Sequence, residues 1–403
     1  MSKARLKLKS VRDLDVTGKR VLVRVDYNVP LLNGKLEDDL RIRASLETLK
    51  YLLDQGCSLV LMSHLGRPKG ADASLSLAPV ATRLGELLGR PVKFARECVG
   101  PEAEAASRAL VPGEVLLLEN LRFHPEEEAN DAEFARALAA HGEVYVDDAF
   151  ACVHRAHASI VGVTAYLPSA AGFLVMREVE MLGDALKYPD RPLVAIVGGA
   201  KVSDKIEVLS NLYERADVLM IGGAMANTFF AAQSLSVGRS LVETDQVPFA
   251  AGLLVKAKAE DKTLVLPDEV VVSRSRDKAD HVQTVPVAAI EADQYVVDAS
   301  PAFAAKLPRL ISEFLDPNAR ATVVWNGPLG IFEVPEFAAG SKRLAETIAD
   351  VAGRSIIGGG DTAALVDGLG LHDRFTWVST GGGASLDLMA GKELPGLVVL
   401  AEP

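Results

Sequence analysis

The chain has 403 residues, more than one hydrophobic core usually supports, so two domains of roughly 200 residues are expected. With 43 Lys+Arg against 54 Asp+Glu, the net charge of −11 excludes a chain built mainly to grip nucleic acid or an anionic membrane. Apolar residues make up 49% and charged residues 24%, which excludes general disorder, and no apolar run reaches the ~18–20 residues of a membrane span.

Along the chain, short β-branched runs alternate with longer helical patterns. The early cations Lys3, Arg5, Lys7, Lys9 and Arg12 precede no apolar segment and are followed by Asp13 and Asp15, so neither a secretory signal nor a transit peptide is expected. Strands are predicted at Val21–Val25, Leu59–Met62, Pro91–Phe94, Val115–Leu118 and Val144–Val146, with a helix over Asp131–His141. Phe173–Tyr188 reads as one helix, with Leu174, Val175, Val179, Leu182 and Leu186 on one face, stopped by Pro189 and Pro192. Strands follow at Leu193–Val197, Val218–Ile221, Thr263–Leu266, Thr322–Trp325, Arg354–Ile357 and Phe375–Val378, with helices over Ser203–Glu214 and Ala338–Val351. Most strand candidates are continuous apolar runs, as strands covered on both faces should be. The fold class that results is α/β: two doubly wound parallel-sheet, Rossmann-like domains joined by a hinge helix.

Ligands of open parallel sheets bind outside the carboxyl ends of the strands, and the two halves differ there. The first half carries charge: Asp26 and Asn28, then Arg41; His64, Leu65, Gly66 and Arg67; Glu119, Asn120, Arg122 and His124; Asp147 and Asp148, then His154, Arg155 and His157. Arg41, Arg67, Arg122 and Arg155, with His64 and His157, describe a pocket for a small multi-anionic molecule, because guanidinium binds carboxylate and phosphate in a bidentate fork. The second half carries glycine: Gly198-Gly199 before Lys201 and Lys205, Gly222-Gly223, Gly327 and Gly330, Gly358–Gly360 before Asp361 and Thr362, and Gly381–Gly383. Absent side chains let a bulky ligand approach backbone N–H groups, which is the pattern of a nucleotide site, although neither GxxxxGK[ST] nor GxGxxG occurs.

Plainer readings stand beside these. A single strand-end Arg often serves only a surface ion pair, and a Gly pair often serves only a tight turn or close helix–strand packing. His154 and His157 have metal-ligand spacing but no evident third ligand. Asp147-Asp148 would also close a strand edge or hold an Arg. Cys57 reads as a buried small hydrophobe, Glu126–Glu128 as a solvated helix start, and His141 and His281 as surface residues. Cys57, Cys98 and Cys152 form no CxxC pair, so neither a disulfide scaffold nor a thiolate zinc site is expected and a reducing cytoplasm fits.

The strings themselves resemble one family. Arg24–Pro30 (Arg-Val-Asp-Tyr-Asn-Val-Pro), Ser63–Pro68, Asp148–Phe150 with His154–Ser159, Gly198–Lys205, Trp325–Glu333, Gly358–Thr362 and Ser379–Ser385 are similar, in order, to motifs of phosphoglycerate kinases. The resemblance implies a phosphoglycerate-binding domain over residues 1–172, completed by a returning tail over 388–403. A linker helix and hinge over 173–192 and a nucleotide domain over 193–387 follow. It implies reversible Mg²⁺-dependent phosphoryl transfer between 1,3-bisphosphoglycerate and ADP, giving 3-phosphoglycerate and ATP, by a cytoplasmic monomer with no nucleic-acid or membrane partner. On that likeness Asp26, Asn28, Arg41, His64, Leu65, Gly66, Arg67, Arg122 and Arg155 hold phosphoglycerate. Lys205, Glu333, Gly359, Gly360, Asp361 and Thr362 hold the nucleotide, with Asp361 at the metal. Arg41, Lys201, Lys205 and the backbone near Gly382 surround the transferring phosphoryl.

Two departures stand out. Asp387 occupies a position where the family usually has Glu, and Ser300 one where Gly is expected. A nicotinamide-dependent oxidoreductase would share the fold type but show the glycine fingerprint and an acidic residue about 20 positions on. A two-domain solute-binding protein would need an export signal and no glycine-rich half.

Overall fold

The computed structural model describes residues 7–32, 34–314 and 320–402, so Lys3 and Arg5 of the cationic run lie outside it. Met1–Val179 with Glu393–Pro403 cluster into one compact unit and Glu180–Lys392 into another.

The first unit is built on a six-stranded sheet of Arg20–Arg24, Ser58–Met62, Val92–Phe94, Val115–Leu117, Val144–Asp147 and Ser169–Ala171. Every neighbouring pair is parallel, and by rank in the chain the strands lie in the order 3-4-2-1-5-6. Alternation sorts the side chains into two cores. Val21, Val23, Leu59, Leu61, Val115 and Leu117 join Leu49, Leu52, Val80 and Leu84 on one face, while Leu22, Val60, Met62, Leu116 and Tyr145 join Phe134 and Leu138 on the other. The helix Ala132–Ala139 shows the local logic. Asp131 accepts the Phe134 N–H at 2.9 Å, a cap worth about 1 kcal/mol, and Phe134, Ala135, Leu138 and Ala139 are the buried stripe. Ser169–Ala171 escapes the sequence because it has no β-branched residue; pairing with Tyr145–Asp147 makes it a strand.

The tail segment belongs to this unit. Lys9 N donates to Leu400 O at 3.0 Å and Gly396 N to Val153 O at 2.8 Å, while Leu394, Leu397 and Leu400 are buried.

The second unit has a six-stranded sheet of Leu193–Val197, Val218–Ile221, Thr263–Val265, Ala321–Asn326, Gly353–Gly358 and Trp377–Val378, parallel throughout, in the order 3-2-1-4-5-6. A three-stranded antiparallel sheet of Glu269–Ser273, Gln283–Pro286 and Tyr295–Ala299 accompanies it, which the β-then-α reading does not foresee. Only a single 3₁₀ turn, Val287–Ala289, comes between its strands, so nothing in the local pattern separates them from loops beside the main sheet.

The helix expected over Phe173–Tyr188 is not uniform. It runs as α-helix over Phe173–Glu178, widens to a π-helix over Val179–Asp184, and closes as α-helix over Ala185–Lys187. Gly183, a weak helix former, lies in the widened stretch. Among the described residues no helix is long and apolar enough to cross a membrane.

Candidate active site

In the first unit the strand order reverses beside Arg20–Arg24, and the carboxyl ends there gather ionisable side chains and amides. Asp26 is 7% exposed; its Oδ2 pairs with Arg41 Nη1 and its Oδ1 accepts the Asn28 N–H at 3.2 Å. Asn28 Oδ1 accepts the Gly66 N–H at 2.8 Å. Asn120 grips the same loop, accepting from Leu65 N at 3.1 Å and donating to Leu65 O at 2.7 Å. Residues 64–66 are therefore held from two sides by amide side chains, one at the end of each neighbouring strand.

His64 is 4% exposed, with Nδ1 at 3.1 Å from Arg24 Nη2 and 4.0 Å from Asp26 Oδ1. Burial first, then the charges of Arg24, Arg122, Arg155 and Arg41, hold its pKa well below the ordinary imidazole range. His157 is pushed down to about 3 by burial and by Arg24, Arg122 and Arg155. Three guanidinium groups thus act on both neutral rings, and Arg41 acts on His64 as a fourth. Arg122 is buried, donates to Gly66 O at 2.7 Å and lies 3.1 Å from Glu128; Arg155 is half-buried, with Nε donating to His154 Nε2 at 3.2 Å; Arg67 is exposed. The arrangement is suited to a small molecule carrying several negative charges.

Among the described residues, Asp26, His64 and Cys152 form the one cluster with the spacing of metal ligands, their ligand atoms lying within 4.8 Å of one another; His154 and His157 belong to none. The surrounding guanidinium charge opposes a cation there, Arg24 occupies the Nδ1 lone pair, and burial pushes the Cys152 thiol up to about 12.

In the second unit the order reverses between Leu193–Val197 and Ala321–Asn326. A Cβ on Gly198 would lie 2.2 Å from Pro328 O, on Gly327 2.3 Å from Gly198 O, and on Gly223 2.5 Å from Gly199 N. These glycines let strand-end loops touch each other, so the plainer reading of close packing holds for them. Gly360 and Gly382 differ, since a Cβ there would meet nothing within 4 Å; Gly382 has φ +50° and Gly359 φ +95°. Lys205 Nζ donates to Gly198 O at 2.7 Å and Asn326 Oδ1 at 2.6 Å. Burial lowers its pKa to about 8, against the opposing pull of Asp361 and Asp204. Asn326 Nδ2 donates to Gly358 O at 2.9 Å, and Thr362 Oγ1 accepts the Gly327 N–H at 2.7 Å. Lys205, Asn326 and Thr362 thereby join three strand ends. Asp361, in the first turn of the helix Gly360–Gly368, Lys201 and Glu333 are exposed. One exposed carboxylate fits Mg²⁺ carried by phosphate, since that ion takes one or two carboxylates and completes its shell with phosphate and water.

Two readings need correction. His141 is buried rather than on the surface: its ring bonds Ser107 Oγ and Cys98 O at 3.0 Å each. Glu127 is fully buried in a turn, not a solvated helix start. Ser300, the position where glycine was expected, stands at the N-cap of the helix Pro301–Ser312 at φ −72° with no side-chain cap bond, a backbone that does not require glycine. The sequence reading also passed over Arg24 as a functional residue. Its signal was a charge at the end of an otherwise apolar strand, which must find partners inside.

A family model described as phosphoglycerate kinase matches residues 11–392. The phosphoglycerate kinase of Moorella thermoacetica is 53% identical over 395 residues, covering 98% of this chain and 99% of its own. That of Thermomicrobium roseum is 52% identical over 396 residues, covering 98% and 100%. The solved structure of phosphoglycerate kinase from Coxiella burnetii superposes with a TM-score of 0.87 at 38% identity, covering 98% of each chain. A match of this extent, over a cationic strand-end pocket in one unit and glycine-lined strand ends in the other, assigns the chain to the phosphoglycerate kinase family.

Proposed function

We propose that the chain, a kinase whose phosphoryl acceptor is a carboxyl group, runs the reversible transfer between 1,3-bisphosphoglycerate and ADP as a step of glycolysis and gluconeogenesis. The observation that carries this reading is the gathering of Arg24, Arg41, Arg122 and Arg155 on the buried His64 beside Asp26. In this proposal phosphoglycerate binds to Asp26, Asn28, Arg41, His64, Leu65, Gly66, Arg67, Arg122 and Arg155. The nucleotide binds to Lys205, Glu333, Gly359, Gly360, Asp361 and Thr362. Mg²⁺ held by Asp361 would supply neutralising charge to the phosphate oxygens.

An oxygen of the ADP β-phosphate attacks the acyl phosphorus in line, the bond to the carboxyl oxygen breaks, and 3-phosphoglycerate leaves as a carboxylate. No protein nucleophile is needed, only placement and charge stabilisation. Arg41, Lys201, Lys205 and the backbone N–H groups around Gly382 are assigned to the oxygens of the moving phosphoryl. In this reading phosphoglycerate binds to a domain over residues 1–172 completed by 388–403, the nucleotide binds to a domain over 193–387, and a hinge over 173–192 closes them together. Closure also keeps water from hydrolysing the acyl phosphate. A monomer in the cytoplasm completes the reading, the three buried, unpaired cysteines supporting a reducing compartment.

The test is a coupled assay of ATP formation from 1,3-bisphosphoglycerate with and without Mg²⁺; no turnover with Mg²⁺ present would end the proposal. Solution scattering is expected to report compaction only with both ligands bound, and unchanged dimensions would remove the closure step.

A further inference from the structure

Glu127 is fully buried and accepts from Ser159 twice, from N at 2.9 Å and from Oγ at 2.5 Å. A serine hydroxyl has one proton, so with that proton given to Glu127, Ser159 Oγ offers only lone pairs elsewhere. Arg24 Nε fills one of them at 2.8 Å. The same guanidinium donates through Nη1 to Val25 O and through Nη2 to His64 Nδ1 at 3.1 Å. Guanidinium has no acceptor, so His64 Nδ1 must accept and the ring proton must sit on Nε2. Asp26 Oδ1, at 4.0 Å from Nδ1, is too far to draw the proton back by a direct hydrogen bond.

We propose that Glu127 and Ser159 are positioning residues of the phosphoglycerate site, locking His64 through Arg24 as the neutral tautomer whose Nε2–H is a hydrogen-bond donor to an oxyanion. This rests on the reading that His64 holds phosphoglycerate. A ring with its proton on Nδ1 would offer the substrate a lone pair instead, and lone pairs repel carboxylate and phosphate alike. The groups that bear on the ring are Arg24, Arg41, Arg122 and Arg155, the Asp26 carboxylate and the Cys152 thiol, whose sulfur is 3.9 Å from Nδ1. Burial and the four cations keep it neutral. Arg24 has a carboxylate behind it at one remove, and it donates both ways, inward to Ser159 Oγ and outward to His64 Nδ1.

The experiment uses the full chain labelled with ¹⁵N-histidine, with the His64 signals assigned by their loss in His64→Gln. Wild type is expected to show Nε2 protonated and Nδ1 bare across neutral pH. Ser159→Ala removes the relay hydroxyl, and Glu127→Gln removes the charge and one of the two acceptor oxygens at unchanged size, which guards against loss of fold. Both are expected to give mixed His64 tautomers and a KM for 3-phosphoglycerate raised about tenfold, the size of losing one bond to a charged group. The KM for ATP is expected to stay within twofold, a split that general loosening of the fold would not give. A wild-type ring protonated on Nδ1, or variants that leave both the tautomer and the KM unchanged, would overturn the proposal. Arg122→Ala tests the parent reading separately: an unchanged KM for 3-phosphoglycerate there overturns the site assignment and the substrate role with it, whatever the tautomer proves to be.

Discussion

At the strand ends of the first unit, Arg24, Asp26, His64 and Arg122 are all buried, and each reaches at least one of the others by contact or charge. At the strand ends of the second unit, Gly198, Gly223 and Gly327 press backbone against backbone, and the half-buried Lys205 supplies the cation. Both sheets are parallel and both reverse their order beside the first strand, so the architecture is shared and the means of recognition are not. One unit spends side-chain charge on a small anion. The other removes side chains so that backbone polar groups can be reached. The contrast predicts different failures: substitutions in the first unit should change chemistry and affinity while sparing the fold, and substitutions in the second should disturb the backbone first.

The largest effect expected is from Arg41→Ala, which removes the guanidinium paired with Asp26 and assigned to the moving phosphoryl. By analogy with arginine effects of ~10³–10⁵ on phosphoryl transfer, kcat should fall at least ~10²-fold while the urea midpoint hardly moves. A near-normal kcat would break the first half of the contrast. Next is Gly327→Ala, where φ is +91° and a Cβ would overlap Gly198 O. A loss of about 2–4 kcal/mol in urea unfolding is expected, with a raised KM for ATP, because a strained backbone and a steric overlap combine there. Unchanged stability would show that the strand-end loops have room to yield.

The third effect depends on pH. Lys205 has a pKa of about 8, below that of free lysine, so it is charged below that value and neutral above it. Attraction for phosphate should therefore be lost as pH rises through 8, and the KM for ATP should climb about tenfold by pH 9.5, one decade being about 1.4 kcal/mol. Lys205→Arg should flatten that rise, since guanidinium keeps its charge. A KM that is flat in wild type would remove Lys205 from the phosphates. The smallest effect is expected from Ser300→Gly. The buried hydroxyl has no hydrogen-bond partner and the cap geometry is ordinary, so stability should change by less than about 1 kcal/mol.

What the sequence disclosed follows the same division. Leu193–Val197 and Val218–Ile221 were readable to the residue, because a strand buried on both faces is a continuous apolar run. Ser169–Ala171 and the antiparallel strands were not, because partners distant in sequence make them strands. Arg41, Arg67, Arg122 and Arg155, beyond the strands, stood out by charge, whereas Arg24, the last residue of its strand, did not. Glu127 did not, since Glu126 and Glu128 beside it are exposed and only the approach of Ser159 explains why the middle carboxylate is inside. Glycine likewise states that something comes close without stating what. Gly198 meets a neighbouring loop whereas Gly382 meets open space, a difference visible only in three dimensions.

The position of Glu393–Pro403 in the first unit has a consequence for how the protein is made. Gly396 lies against Val153 and Ile160, the stretch that carries Arg155, His157 and Ser159, and no side chain would fit between them. A ribosome must therefore translate the whole of Glu180–Lys392, roughly 200 residues, before the first unit can receive its last piece, a wait of about 10–40 s at ordinary synthesis rates. Nascent chains stalled before Glu393 are expected to leave the stretch around Val153 open to protease, and chains released after Leu400 to protect it. The unit that begins synthesis is then the last to be finished.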